Sequence, residues 1–263
     1  MPAEVTIGID GLSQESLLAI ARKGAKVSIS SDAASAINKS RAIVDSLAAS
    51  EIPVYGISTG FGALARKFID ADKRVQLQKS LIRSHAAGSG EIVEVEVVRA
   101  MMAVRLATMC RGLSGVQLRT AETYAAMLNS NITPVVREYG SLGCSGDLAP
   151  LSACALAAMG EGEVINSQGK IVATEIAFKE HAILPVELSS KEGLALINGT
   201  DGMLGQLVLA LHDISNLLKT LDVTTSLSVE AHLGTDKVFQ KHLHDLRPQV
   251  GQGKSAANIA KLL

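Results

Sequence analysis

The stretch Gly140-Ser141-Leu142-Gly143-Cys144-Ser145-Gly146-Asp147-Leu148-Ala149-Pro150 gathers reactive and conformationally free residues into one short loop. It lacks the Gly-Lys-Ser/Thr ending of a phosphate cradle and contains no GxGxxG. A serine-hydrolase elbow, G-x-S-x-G, does not fit either, because Asp147 follows Gly146 and the second glycine is misplaced. Backbone cyclisation does fit. If the Gly146 amide nitrogen attacks the Cys144 carbonyl and Ser145 then loses water, the tripeptide becomes a methylidene-imidazolone ring with an exposed electrophilic carbon. Gly146 has no Cβ to obstruct the tight turn, and Gly140 and Gly143 are expected to adopt unusual dihedrals. Ser145 supplies the leaving hydroxyl, whereas residue 144 contributes mainly a carbonyl, so a cysteine is tolerated there. Asp147 to Pro150 reads as the first turn of a helix whose positive end would favour negative charge developing on the ring. An ordinary Gly-rich connector between helices is the competing reading.

The elements that must position this loop are mostly helical. Glu4 to Ile9 and Ala25 to Ile29 predict a small strand pair around a helix from Ser13 to Arg22. Asp32 is read as the cap of a helix to about Ser50, with Ala36, Ile37, Ile43, Val44 and Leu47 at helical spacing. Tyr55-Gly56-Ile57-Ser58-Thr59-Gly60-Phe61-Gly62 is too rich in glycine and hydroxyl residues for regular structure. A polar helix follows from Ala71 to His85, then a turn at Gly88-Ser89-Gly90. Glu94 to Arg111 and Gly115 to Leu128 predict an antiparallel helix pair, and Leu151 to Met159, apolar on every face, a buried helix. Glu163 to Ala173 reads as a hairpin, Ser189 to Glu192 as a capping box, and Asp201 to Leu221 as a long leucine-rich helix. Beyond it, Ser226 to Leu233 is amphipathic, Phe239 to Val250 polar, and Leu262-Leu263 the start of a further helix. These readings divide the chain into residues 1–197, carrying the reactive loop, and 198–263, a helical segment.

The run Gly-Ser-Leu-Gly-Cys-Ser-Gly-Asp-Leu-Ala-Pro-Leu-Ser from Gly140 closely resembles the signature of the histidine and phenylalanine ammonia-lyase family. In that family an Ala-Ser-Gly, or a variant such as Cys-Ser-Gly, builds the ring autocatalytically. The likeness extends over nearly all of the chain. Tyr55 to Gly62 resembles the family's YGxxTGFG loop, which implies that Tyr55 removes the substrate β-proton; a phenol does so only if its pKa falls from about 10. Ser84-His85-Ala86-Ala87-Gly88 resembles the selectivity segment of histidine ammonia-lyases and implies that His85 hydrogen-bonds a substrate imidazole. Asn198-Gly199-Thr200 resembles the NGT motif, whose asparagine contacts the ring and the substrate carboxylate. Alone, Tyr55 would be packing, His85 a surface helix end and Asn198 a helix cap; the other histidines are read as structural.

The resemblance implies a mainly α, ammonia-lyase/aspartase-like helical fold with a small mixed α/β N-terminal part, truncated within the central helix bundle. It implies elimination of ammonia from L-histidine to give urocanate. The 4-methylidene-imidazol-5-one made from Cys144, Ser145 and Gly146 would be the prosthetic group, with no metal or dissociable cofactor. It also implies a homotetramer. Ser58 and Ala153 depart mildly from the family pattern. Members run to about twice this length and supply a second tyrosine, an arginine and a glutamate from the remainder, so the piece alone is expected to be inactive. A tyrosine or phenylalanine ammonia-lyase or aminomutase, and a non-catalytic helical remnant with an uncyclised loop, are the alternatives.

The composition agrees with a packed helical protein: 47% hydrophobic, 3% aromatic, 19% charged, net charge −1. Without a block of like charge there is no electrostatic footprint for nucleic acid or an anionic membrane, and a small-molecule partner is expected. The N-terminus does not read as a signal peptide, and no run of about 18 uncharged apolar residues predicts a membrane span, so a cytoplasmic location is expected. Cys110, Cys144 and Cys154, odd in number and without CxxC spacing, are read as reduced thiols.

Overall fold

The computed structural model describes residues 4–263 and is mainly helical, with two compact units, Met1–Leu207 and Val208–Leu263. In the first unit, strands β1 (Glu4–Ile7) and β2 (Lys26–Ile29) pair in parallel around helix α1 (Gln14–Lys23). The Ser13 hydroxyl accepts from the Ser16 amide at 3.1 Å to start α1, and Gly24 ends it in the left-handed region. Helix α2 (Ser31–Ala49) is capped by Ser30 rather than by Asp32, which lies in the first turn and accepts from the Ala33 amide at 2.9 Å. Either oxygen suits orphan N–H groups, so composition alone leaves the choice open. Ile37 and Val44 face the core, but Ile43 is 62% exposed, so the apolar run is wider than the buried face.

Helix α3 (Ala71–His85) spans its expected range. The Gly88–Gly90 turn leads into a strand, β3 (Ser89–Ile92), that the residue types hide: two of its four positions offer little side chain to read. Helices α4 (Val95–Cys110) and α5 (Leu118–Asn129) form the centre of the core, burying Met101, Met102, Leu106 and Met109 against Tyr124, Met127 and Leu128. Strand β4 (Thr133–Pro134) follows, and β5 (Arg137–Tyr139) pairs antiparallel with β3. Helix α6 (Leu148–Ala158) is buried along most of its length. The hairpin of β6 (Glu163–Ile165) and β7 (Ile171–Ala173) adds to β4, giving three strands, and α7 (Thr174–Glu180) follows.

Helix α8 (Glu192–Ile197) carries half of the expected capping box: the Glu192 carboxylate accepts from the Ser189 amide at 2.8 Å, while the Ser189 hydroxyl accepts from Arg41 instead of the Glu192 amide and Lys191 is the cap. That carboxylate, fully buried, also accepts from the Gln117 amide at 2.9 Å and from the Thr120 hydroxyl at 2.6 Å, both at the start of α5.

Helix α9 (Asp201–Ala231) begins in the first unit and runs past the expected end at Leu221. No Gly or Pro interrupts the sequence from Leu221 to Ala231, so nothing stops the helix there. In the second unit α10 (Lys241–Asp245) and α11 (Val250–Leu262) complete the chain. Gly251 and Gly253 lie inside α11. Along α9, Leu204, Leu207, Leu211, Ile214, Leu218 and Leu221 recur at alternating spacings of three and four, each 47–54% exposed. That spacing is a coiled-coil seam. The stretch Glu192–Ala231 contains an 18-residue window of mean hydropathy 1.4, long and apolar enough by composition to cross a membrane. Its charged residues and seam periodicity instead match a helix with one apolar face.

Candidate active site

Residues Gly143–Ser145 form one turn of 3₁₀ helix, closed by the Gly146 amide donating to the Gly143 carbonyl at 2.9 Å. Gly146 has φ +115° and ψ 157°, a conformation other residues avoid. A Cβ there would lie 2.9 Å from Leu148 Cδ1 and 3.3 Å from the Gly199 carbonyl oxygen. Gly140 serves closeness rather than dihedral freedom: it is not left-handed, and a Cβ on it would meet that of Ala149 at 2.8 Å. Cys144 and Ser145 are exposed while Gly146 and Asp147 are buried, so the loop turns its reactive residues outward over a fixed base. These residues fit the ring: its three members already share one tight turn, and no side chain intrudes at Gly146.

The base of the loop is Asp147. Its amide donates to the Gly199 carbonyl at 2.7 Å, placing the reactive turn against the Asn198-Gly199-Thr200 segment. Its carboxylate does not cap α6; it accepts from the Ser141 hydroxyl at 2.5 Å and from the Met203 amide, at the start of α9, at 3.0 Å. Asn198 ends α8 with an exposed side chain, its amide donating to the Leu194 carbonyl at 3.1 Å.

Arg105, in the middle of α4 and 2% exposed, holds this segment from beneath. It donates to the Ala195 carbonyl at 2.9 Å, to the Asn198 carbonyl at 3.2 Å, and to the carboxylate of Asp201. Burial pushes the Asp201 carboxyl up from its ordinary value, and the Arg105 charge pulls it back. The sequence assigns Arg105 no role and Asp147 only a place in the first turn of a helix. A lone arginine in an apolar helical period is a signal of a buried partner, but it does not name the partner.

Tyr55 is 51% exposed and stands edge-on to Phe61, ring centroids 6.0 Å apart. Its loop packs on α8: a Cβ on Gly56 would lie 2.8 Å from Leu194 Cδ2. Ser58 is structural, its hydroxyl accepting from the Val54 amide at 2.9 Å. At the end of α3, His85 Nδ1 lies 2.9 Å from the Leu81 carbonyl oxygen. A carbonyl only accepts, so Nδ1 donates in this bond, and in the neutral imidazole Nε2 is then the acceptor. The structure thus sets the Ser145–Gly146 turn beside Asn198 and brings the Tyr55 loop to the same helix α8. Three residues beyond His85, Gly88 Cα lies 3.5 Å from a Cβ position on Gly140, at the start of the reactive loop.

A sequence model of the aromatic amino acid lyases matches residues 12–263. The chain belongs to that family. Among its aromatic lyase relatives, a histidine ammonia-lyase of Streptomyces avermitilis is 55% identical over 259 residues, 98% of this chain and 51% of that protein. Among solved lyase-fold structures, the tyrosine aminomutase of Streptomyces globisporus superposes with TM-score 0.91 at 37% identity, covering 98% of this chain and 49% of that one. The histidine ammonia-lyase of Trypanosoma cruzi gives TM-score 0.91 at 33% identity, covering 99% and 51%. This aromatic lyase chain therefore spans about half the length of the relatives it matches, and its helical fold is that of ammonia-lyases and aminomutases.

Proposed function

We propose that this chain is the N-terminal, prosthetic-group-bearing half of a histidine ammonia-lyase that eliminates ammonia from L-histidine to give urocanate. The observation that carries the reading is the 2.7 Å bond from Asp147 to Gly199, which holds the Cys144-Ser145-Gly146 turn against Asn198. Cyclisation joins the Gly146 nitrogen to the Cys144 carbonyl carbon and removes two waters, one from the ring closure and one from Ser145. The ring supplies an electrophilic carbon for the substrate amine. Tyr55, exposed at the head of the buried Gly56–Gly60 stretch, is the base for the β-proton. Asn198 contacts the ring and the substrate carboxylate, and His85 receives the substrate ring through Nε2. The rest of the site, and the remaining helices of a tetramer bundle, would come from the sequence present in the longer relatives, in a cytoplasmic enzyme.

An acceptor nitrogen on His85 suits a phenol hydroxyl as well as an imidazole N–H, so tyrosine is the competing substrate, as the aminomutase likeness also suggests. The 55% identity to a histidine ammonia-lyase favours histidine. Intact mass of the purified chain tests the reading. A deficit of about 36 Da in a peptide holding Cys144 to Gly146 is expected from loss of two waters. An unchanged mass would leave the loop an uncyclised connector. A panel of histidine, tyrosine and phenylalanine with the complemented site then separates the substrates, and turnover of tyrosine in preference to histidine would overturn the histidine assignment.

A further inference from the structure

Helix α8 ends and α9 begins on either side of Asn198-Gly199-Thr200, and a helix end leaves backbone groups without partners. At the α8 end the Ala195 and Asn198 carbonyls need donors; at the α9 start Asp201 sits where a negative charge is favoured. One guanidinium answers all three needs. Arg105 reaches Ala195 at 2.9 Å through one terminal nitrogen, and Asn198 at 3.2 Å and Asp201 through the other.

The fit leaves no space between them. A Cβ on Gly199 would lie 2.2 Å from the Arg105 guanidinium and 2.4 Å from the Asp201 carboxylate, so the guanidinium rests on bare backbone. On its other side Gly199 accepts the Asp147 amide at 2.7 Å. The order is therefore a chain of contacts: α4 core, Arg105, the Asn198–Gly199 backbone, Asp147, and the reactive turn. Arg105 is also the cation beside the buried Asp201 carboxylate, whose ionisation burial and the neighbouring Asp147 charge oppose.

We propose that Arg105 is a positioning residue for the active site: its buried fork fixes the Asn198–Gly199 backbone and, through Gly199, the geometry in which Ser145 and Gly146 cyclise. Resting on the lyase reading, the proposal gives Arg105 no contact with substrate. A lysine cannot replace it, because a single ammonium on a flexible stem does not span three acceptors set in a fork.

The test compares the native chain with Arg105→Lys and with the double variant Arg105→Met/Asp201→Asn, which removes both charges of the buried Arg105–Asp201 pair together. Amide hydrogen exchange is read residue by residue, beside the peptide mass at Cys144 to Gly146. Exchange at the Asp147 and Asn198 amides is expected to rise at least about tenfold while the α4 and α5 core stays protected, because the tether rather than the fold is lost. In parallel the fraction of chains showing the mass deficit drops at least about tenfold, in line with the sensitivity of such reactions to small misplacement. Unchanged exchange at Asp147 and Asn198 in a folded variant overturns the proposal, as does an unchanged mass deficit beside raised exchange. Were the native chain to lack the deficit, the lyase reading would fail, while the exchange result would still decide whether Arg105 fixes the turn. If the lysine variant does not fold, the double variant carries the comparison.

Discussion

The carboxylate of Asp147 accepts the backbone amide of Met203 at 3.0 Å, so the first residue before α6 and the first turn of α9 share one buried acceptor. The same side chain takes the Ser141 hydroxyl at 2.5 Å. Replacing Asp147 with Ala leaves the part-buried Met203 amide and the Ser141 hydroxyl without their acceptor, and unfolding stability should fall by about 1–3 kcal/mol. Asp147→Asn keeps an acceptor and should lose less. Urea midpoints of the two variants check the order; equal losses would mean that Met203 finds another partner.

Ser145 and Gly146 separate chemistry from structure. Ser145 is exposed, so Ser145→Ala should leave stability within about 0.5 kcal/mol of the native chain and yet abolish the water loss that depends on its hydroxyl. Gly146→Ala should do both kinds of damage, since φ +115° is hostile to a Cβ and Leu148 Cδ1 waits 2.9 Å away. Thermal unfolding beside intact mass reads the pair. A Ser145→Ala chain that still shows the full deficit would remove that hydroxyl from the reaction.

The three thiols differ in reach. Cys144 is exposed, whereas Cys110 and Cys154 are buried, and burial pushes them up to about 11 and about 12. One equivalent of iodoacetamide is expected to react with the native chain at pH 8 and three after denaturation, counted by mass. Labelling of Cys144 does not depend on cyclisation, because the ring takes its carbonyl and not its sulfur.

Cys154 also fixes the direction of an alkaline effect. Its folded pKa, about 12, lies above the ordinary 9.0, so between those values the unfolded chain has released a proton that the folded chain retains. Stability is intact below pH 9 and falls as pH rises toward 12. Cys154→Ala should flatten that slope in a pH series of urea melts. A slope unchanged by the substitution would assign the effect to Cys110 and Tyr124, both of which burial also raises.

A close surface pair should matter far less. Arg83 grips Glu161 with two bonds of 2.8 and 2.7 Å and holds its carboxyl below the ordinary value, but the side chains are 49% and 36% exposed. Arg83→Ala should cost little stability at pH 7, because solvent screens the pair. With the folded pKa depressed, that difference is present above pH 4.5 and disappears as pH falls below it. Melts at pH 7 and pH 3 read it.

Legibility followed how local each signal was. Helix α3, the buried α6 and the β6–β7 hairpin were readable because their periodicity or turn residues lie within the element. Strand β3 was not, since its partner β5 lies far along the chain and its own residues carry little strand preference. The reactive turn was legible as a string, and its glycine at 146 for the right physical reason. What the string could not convey was the support beneath it: Arg105 and Asp147 act through backbone groups of Asn198, Gly199 and Met203, and backbone acceptors leave no mark in a sequence.

Glu192 has a consequence for how the molecule opens. Its buried carboxylate ties the Ser189 amide at the head of α8 to the Gln117 amide and the Thr120 hydroxyl at the head of α5. The head of α8 cannot fray without stranding donors of α5, nor the head of α5 without depriving the buried Glu192 carboxylate of its donors. Two elements more than seventy residues apart are thereby obliged to come undone as one cooperative piece, and the segment that ends in Asn198 inherits the rigidity of the hydrophobic centre rather than the looseness of a surface loop.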